Sequence, residues 1–472
     1  MILGRQVAHN TIIHLTGKLV SLVLGLVSIG IMTRYLGQEG FGFYITVTAF
    51  LQFFGILVDF GLSLTTIQMI SKPGVKLSKL MNSIMSLRVI SSFAFLALAP
   101  IVIWFFPYNN YIKWGVLVMV FSFFCISLIQ TLTGVFQQKL KMLEVTLAEV
   151  VGRVLLVVLV ALGAMWGKDI YWIFAAITVG SVLNLLIVLL CSRKYIKWRF
   201  EIDLQIWKEV LTRTWPIALS ISFNLIYLKM DILILSLTRT QAEVGLYGAT
   251  YRVIDILTML PAVFMGIVLP IATKLFLEKN NKDLKQLLQK SFDTLMIFAV
   301  PIVLGTMIIA SKVMTLVAGN DFAQSGPILK VLILASGAIF ATTLFGYGVV
   351  AVNKQKSMMW GYLTTAVLTM IGYLIFIPSH GYWGAAWMTV FSEVMVLLWT
   401  AYVVYKTVKF FPSFTVLMKA LVSALVMTAV LFYLPEIHVL FMLIIAVVIY
   451  FPALYLLGGI KKQTVSDLIK LK

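Results

Sequence analysis

VTLAEVVGRVLLVVLVALGAMWGKDIYWIFAAITVGSVLNLLIVLLC, residues 145–191, carries only four charged side chains: Glu149, Arg153, Lys168 and Asp169. Lys168 and Asp169 divide it into two apolar runs, 145–167 and 170–191. Each run has the ~20 residues that a helix needs to cross the hydrocarbon core of a bilayer. Both are continuous rather than alternating, which argues against β spans. Working outward on the same rule, fourteen such runs occur, near 11–33, 41–63, 82–106, 113–136, 145–167, 170–191, 214–237, 244–273, 291–317, 325–352, 357–377, 382–405, 414–434 and 437–459. The expectation is an all-α integral membrane protein with about 14 transmembrane helices.

Composition agrees. Of 472 residues, 61% are hydrophobic and 12% are charged, against about 45–50% and 25% in soluble domains. An ordinary soluble enzyme, a disordered chain and a fibrous protein are excluded. Cys125 and Cys191 both sit in apolar runs and suggest neither a disulfide framework nor a metal cluster. The net charge of +19 would suggest nucleic acid in a soluble protein, but here the basic residues fall in the breaks between spans, so no nucleic acid is expected. With the amino terminus inside, the inner segments hold 25 Lys and Arg and the outer segments hold 5. This asymmetry orients the chain with both termini cytoplasmic. Met1 to Asn10 reads as a retained lead into the first span, not a removed signal. Trp104, Trp114, Trp166, Trp172, Trp215 and Trp383 near span ends suit interfacial belts. The longest loop, 192–213, is basic and amphipathic and is expected along the inner surface.

Seven basic residues fall within spans: Lys18, Arg88, Arg153, Lys229, Arg252, Lys330 and Lys419. Lys330 and Lys419 lie close enough to span ends to snorkel. The other five are deeper, where a charge costs at least ~2.5–3.5 kcal/mol. The acidic residues within spans are Asp59, Glu149, Asp231, Asp255 and Glu393. Helical phase, at about 100° per residue, puts His14, Lys18, Ser21, Gly25 and Ser28 on one face of the first span. It puts Ser220, Asn224, Tyr227 and Asp231 on one face of the seventh. Such stripes face a cavity or another helix. Glu149 with Arg153, and Arg252 with Asp255, are spaced for local pairs that would cancel their charge. Depth counting sets Lys18, Arg88 and Arg153 toward the cytoplasmic face, and Lys229 and Arg252 toward the outer face. If they share one cavity, basic groups at both levels suit the passage of an anion such as a phosphate.

The chain also repeats itself. Gly40-Phe41-Gly42-Phe43-Tyr44 after span 1 corresponds to Val244-Gly245-Leu246-Tyr247-Gly248 after span 7, with Gly42 and Tyr44 matching Gly245 and Tyr247 at an offset of 203. The same offset carries Ser21 onto Asn224 and Ser28 onto Asp231. Six spans separate the copies, which implies two parallel six-helix bundles in a pseudo-twofold arrangement. The expected organisation is a bundle over 1–200, a second over 201–410, and two further spans with a basic tail over 411–472.

Gly25-x8-Arg34-Tyr35-Leu36-Gly37-Gln38-Glu39-Gly40-Phe41-Gly42-Phe43-Tyr44, then Phe53-Phe54 and Val58-Asp59-Phe60-Gly61-Leu62, resembles the opening of polysaccharide repeat-unit flippases of the multidrug/oligosaccharidyl-lipid/polysaccharide exporter superfamily. Trp215-Pro216, Tyr227 with Asp231, and Gly381-Tyr382-Trp383-Gly384-Ala385-Ala386 look similar to the same family. The resemblance implies translocation of an undecaprenyl-diphosphate-linked oligosaccharide from the inner to the outer leaflet of the bacterial cytoplasmic membrane. It also implies alternating access through a cationic central cavity, and a polysaccharide polymerase and glycosyltransferases as partners. Lys18, Arg88, Arg153, Lys229 and Arg252 are the candidates for diphosphate and cavity contacts. His14, Ser21, Ser28, Asn224 and Tyr227 are the candidate polar lining.

Other classes follow from the same residues. The related lipid II flippases favour several arginines on spans 1, 2 and 8, where this chain has Lys18, none and Arg252, which favours a polysaccharide precursor. A multidrug antiporter would use acidic groups for cationic cargo, yet the deep basic residues match or outnumber the acidic ones. An enzyme would need carboxylates or a metal in an outer loop, but those loops are short and His9, His14, His380 and His438 have no metal spacing. Gly17-Lys18 lacks the following Ser or Thr and the upstream glycine of a phosphate loop, so no cofactor is expected. Energy would come from H⁺ or Na⁺ coupling, with Asp59, Glu149, Asp231, Asp255 and Glu393 as candidates.

Overall fold

The computed structural model describes residues 2–70, 76–434 and 437–460, with side chains throughout except at 2–15, 64 and 216–228. Among the described residues the elements are helical. They are α1 (Ile2–Asp59), α2 (Leu62–Ile70), α3 (Leu77–Ile103), α4 (Asn110–Gln138), α5 (Met142–Met165), α6 (Ile170–Ser192), α7 (Leu204–Thr238), α8 (Gln241–Leu277), α9 (Asn281–Ala318), α10 (Ser325–Ala351), α11 (Gln355–His380), α12 (Tyr382–Val408), α13 (Thr415–Tyr433) and α14 (Val439–Leu456), with a 3₁₀ turn at Asn320–Phe322. Twelve of them are long and apolar enough to cross a membrane. The seventh expected span lies in α7, where the side chains of 216–228 are outside the description.

The first two expected spans are joined in α1, which departs from helical geometry at Gly37 (φ 65°, ψ −171°). Only glycine adopts such a conformation freely, so the chain turns there without a loop. At the far end the helix stops at Asp59 rather than near 63. Phe60 (φ 42°) and Gly61 (φ 77°) are both left-handed, and the short α2 follows. The apolar run Phe60-Gly61-Leu62 hid this break.

Capping side chains start several helices. Asn109 accepts from the Ile112 N–H at the head of α4, Asp169 from Trp172 at α6, and Asp203 from Gln205 and Ile206 at α7. Each satisfies N–H groups that have no partner inside the helix. Tryptophan pairs mark two hairpins: Trp104 stacks edge-on against Trp114, and Trp166 against Trp172.

The chain falls into two compact units, Met1–Gly245 and Leu246–Lys472. In the first, α1 packs along α5 and α4, α4 along α6 and α3, and α7 against α1, α2 and α3. Its core gathers Val47, Leu51, Val116 and Phe174 among others. In the second, α10 packs against α9 and α12, α11 against α12, and α13 against α9 and α14. Met427 and Tyr450 bury the last two helices against Val300 and Ile309 of α9. Large apolar side chains such as Phe93, Phe121, Leu374 and Val448 remain more than half exposed. Soluble proteins avoid so much exposed apolar surface, whereas lipid covers it without cost.

Candidate functional site: charges and close contacts inside the helical units

The best-formed polar cluster lies in the first unit around Arg88, whose side chain is fully buried. The break at Phe60–Gly61 strands carbonyls at the end of α1, and the Val58 carbonyl accepts from Arg88 Nη1 at 3.0 Å. Nε donates to the Ser127 carbonyl of α4 at 3.1 Å. Nη2 reaches Asp59 Oδ1 at 2.7 Å, Ser63 Oγ at 3.1 Å and Gln130 Oε1 at 3.2 Å. Ser63 Oγ also donates to Asp59 Oδ1. Four helices are therefore joined by one guanidinium whose charge Asp59 neutralises. From sequence, Arg88 is expected to meet cargo and Asp59 to couple an ion, with no pairing between them. They are 29 residues apart on different helices, and equal depth from one face was the available signal.

The other candidates are more scattered. Lys18 is exposed on α1, and no ion pair is recorded for it among the described residues. Ser21 and Ser28 are buried, and their hydroxyls have no hydrogen-bond partner among the described residues. Glu149 and Arg153 have the spacing of a local pair, but none forms among the described residues; Arg153 is exposed and Glu149 is half-buried. Lys229 is half-buried, while Asp231 is fully buried and accepts from the Ile232 N–H at 2.8 Å. The C-terminal end of α7 is tied down by Tyr108, whose hydroxyl meets Ser236 Oγ at 2.7 Å. His14, Asn224 and Tyr227 lie outside the described side chains.

In the second unit the expected pair forms loosely, with Arg252 Nη1 3.9 Å from Asp255 Oδ2. Glu393 on α12 is 4% exposed. Thr342 donates to its backbone carbonyl at 3.4 Å, and no cation or donor to its carboxylate is recorded among the described residues. No group of metal-ligating side chains occurs among them either.

The repeated glycines prove to be a contact. A Cβ on Gly42 would lie 1.8 Å from the Gln241 carbonyl oxygen, and one on Gly245 would lie 2.0 Å from that of Gln38. Thr46 Oγ1 donates to Gln241 Oε1 at 2.7 Å beside this crossing of α1 with the first turn of α8. The repeat motif therefore marks two backbones too close for any side chain. The sequence showed the repeat and gave no sign that its copies touch.

The family described as "Polysaccharide biosynthesis protein" matches residues 7–276. The chain belongs to this family. Within the polysaccharide biosynthesis proteins, a relative from Haloferax volcanii named as the low-salt glycan biosynthesis flippase Agl15 is 24% identical over 208 residues. That match covers 44% of this chain and 44% of the relative, less than half of the relative's length. A relative from Shigella dysenteriae named as an O-antigen transporter is 21% identical over 377 residues, 78% of this chain and 92% of that one. Two solved structures share the fold. The lipid II flippase MurJ, in an inward closed conformation, matches with a TM-score of 0.78 at 16% identity, over 97% of this chain and all of its own. An inward-facing MATE family transporter of the same exporter superfamily matches at 0.67 and 13%, over 84% of this chain and 99% of that one. The all-α architecture expected from the sequence is thereby shown. Both curated relatives are named for transport, not for an enzymatic reaction.

Proposed function

We propose that this protein is a flippase that carries an undecaprenyl-diphosphate-linked polysaccharide repeat unit from the inner to the outer leaflet, by alternating access through a cationic cavity. One observation carries the reading: membrane-depth cations, in a chain similar to a named glycan flippase and a named O-antigen transporter. Lys18, Arg153, Lys229 and Arg252 meet the diphosphate, and Ser21, Ser28, His14, Asn224 and Tyr227 line the path. Arg88 acts differently, because its donors are already occupied; it positions α1 against its neighbours. Asp231, Asp255, Glu149 and Glu393 are the groups that couple transport to H⁺ or Na⁺. Glu393 fits best, since a carboxylate buried within a span is costly to keep and is most often there for function. The organisation is a repeat over 1–200 and 201–410 with an appendage over 411–472. The setting is the bacterial cytoplasmic membrane with both termini inside, in company with a polymerase and glycosyltransferases.

The test is deletion of the gene followed by extraction of the undecaprenyl-linked intermediates and assignment of their leaflet. Accumulation of one lipid-linked oligosaccharide on the cytoplasmic side, relieved by the wild-type gene and not by Arg252→Ala, is expected. Normal lipid-linked sugars together with new sensitivity to cationic dyes would replace the reading with multidrug export. Accumulation of lipid II would move it to peptidoglycan.

A further inference from the structure

Between α6 and α7, residues 196–203 have no regular secondary structure, and α3 holds them as a strap. Asn82 Nδ2 donates to the Lys197 carbonyl at 3.2 Å, and Asn82 Oδ1 accepts from the Arg199 N–H at 3.3 Å. Ser86 Oγ accepts from the Glu201 N–H at 3.0 Å. Trp207 Nε1 donates to the Ser83 carbonyl at 2.9 Å. At the ends, Tyr195 donates to Glu144 at 2.7 Å, and Asp203 pairs with Lys79 at 2.9 Å while capping α7. The strap is therefore ordered before anything binds to it.

Phe200, Ile202 and Leu204 are 66%, 55% and 71% exposed, whereas Glu201 and Asp203 between them are half-buried. Asp203 is further occupied by Lys79 and the helix cap. Lys197 and Arg199 are exposed, and no acidic partner is recorded for either among the described residues. What the strap presents outward is an apolar ridge beside two uncompensated cations. The ridge continues along α7 through Leu211 and Trp215, 50% and 54% exposed, toward the part of the helix expected to enter the bilayer.

We infer that this strap is a membrane-surface site for anionic phospholipid. Lys197 and Arg199 take the headgroup phosphate, and Phe200, Ile202 and Leu204 enter the boundary between headgroups and acyl chains. The occupant is set by charge complementarity and by the exposed apolar side chains that recur along α7 at Leu211 and Trp215; a basic surface beside an apolar one is the pattern that lies in a charged interface. The bonds from Asn82, Ser83 and Ser86 supply rigidity, so little conformational freedom is lost on binding. The inference concerns lipid around the protein and stands whatever cargo the protein moves.

The test uses the purified full-length protein. Native mass spectrometry counts retained phosphatidylglycerol and phosphatidylcholine for wild type, for K197Q/R199Q and for the control K354Q/K356Q on the exposed α10–α11 turn. Preferential retention of phosphatidylglycerol by wild type and control is expected, with a loss of about fivefold for each strap cation removed and no change for phosphatidylcholine. A separate arm places a nitroxide at Ile202→Cys, with Cys125 and Cys191 replaced by alanine, in discs containing phosphatidylglycerol. Relaxation dominated by oxygen rather than by an aqueous nickel chelate is expected. Equal phosphatidylglycerol retention by the double variant, a label open to the nickel chelate, or a label shielded from both reagents by a second copy or another protein would each overturn the inference. The label needs no change at Lys197 or Arg199, so a folding defect in the double variant leaves that arm intact.

Discussion

Replacing Arg88 by methionine tests the cluster at the end of α1. The apolar side chain fills much of the same space but abandons two backbone carbonyls, Gln130, Ser63 and the Asp59 carboxylate. Removing one partner of a buried ion pair costs about 3–5 kcal/mol. The Asp59 side chain keeps 26% exposure, so water recovers part of its solvation and the lower end applies, about 3 kcal/mol. That is roughly a hundredfold in the unfolding equilibrium. Asp59→Asn keeps an acceptor for Nη2 but leaves the fully buried guanidinium without a counter-charge, so it should cost at least as much, about 3 kcal/mol. The double variant Arg88→Met/Asp59→Leu should recover part of the single loss, because no charge is then stranded. Cys125, 6% exposed on α4 and two residues from Ser127, supplies the assay: a thiol-reactive dye reports its release when the helices separate, and graded SDS unfolding in mixed micelles converts the order into free energies. Were Arg88→Met to unfold within about 1 kcal/mol of wild type, the claim that this guanidinium fastens four helices would be wrong, since even one net hydrogen bond to a charged group is worth more.

Further outcomes follow from other contacts. Gly42→Ala and Gly245→Ala should each abolish stable folding or export, because the new methyl would lie 1.8 and 2.0 Å from a backbone oxygen. Gly25→Ala, with nothing within 4 Å, should be neutral or stabilising by about 0.5–1 kcal/mol, as the same dye assay would show. Glu393→Gln should leave the melting temperature unchanged or raise it, since it removes a buried ionisable group, while flattening the pH dependence of export; a steep fall in stability would mean that a cation holds Glu393 in the folded state. At the strap, the hydrogen bond from Lys79 holds the Asp203 carboxyl below its usual range. A depressed folded value means stability that is fully present above the ordinary carboxylate range and is lost as pH falls through the lowered one. A spin label at Gln205 should therefore stay immobile down to about pH 4 and loosen only at lower pH, and Asp203→Asn should remove that acid-dependent step.

The spans were legible because a membrane demands a minimum length of apolar helix whatever the neighbours do. The same demand blurs everything inside a span. The second expected span runs through Phe60, Gly61 and Leu62 to 63 although Phe60 and Gly61 are both left-handed, since hydropathy carries no dihedral information. Gly37 gave no loop signal for a comparable reason: one residue absorbs the whole turn. The Arg88–Asp59 pair depends on which helices become neighbours, and helical spacing speaks only of partners on the same helix. Even there it is permissive: Arg252 and Asp255 approach each other, while Glu149 and Arg153 have the right interval and do not. The basic loop after α6 was evident from composition, but its division into acids turned toward α3 and an apolar edge turned away follows from the hydrogen bonds of Asn82 and Ser86.

The last two helices set a condition on the surrounding lipid. α13 and α14 have 19 and 18 residues, about 28 and 27 Å of helix, where α12 has 27 residues and about 40 Å. An element shorter than the ~30 Å oily layer has no slack for tilting, so the bilayer beside it must draw its two surfaces together. Phe441, Val448 and Leu456 keep that side of α14 apolar and exposed. Hydrophobic mismatch thus places a local dimple along α13 and α14, and the carbon depth that separates one headgroup layer from the other is smallest there.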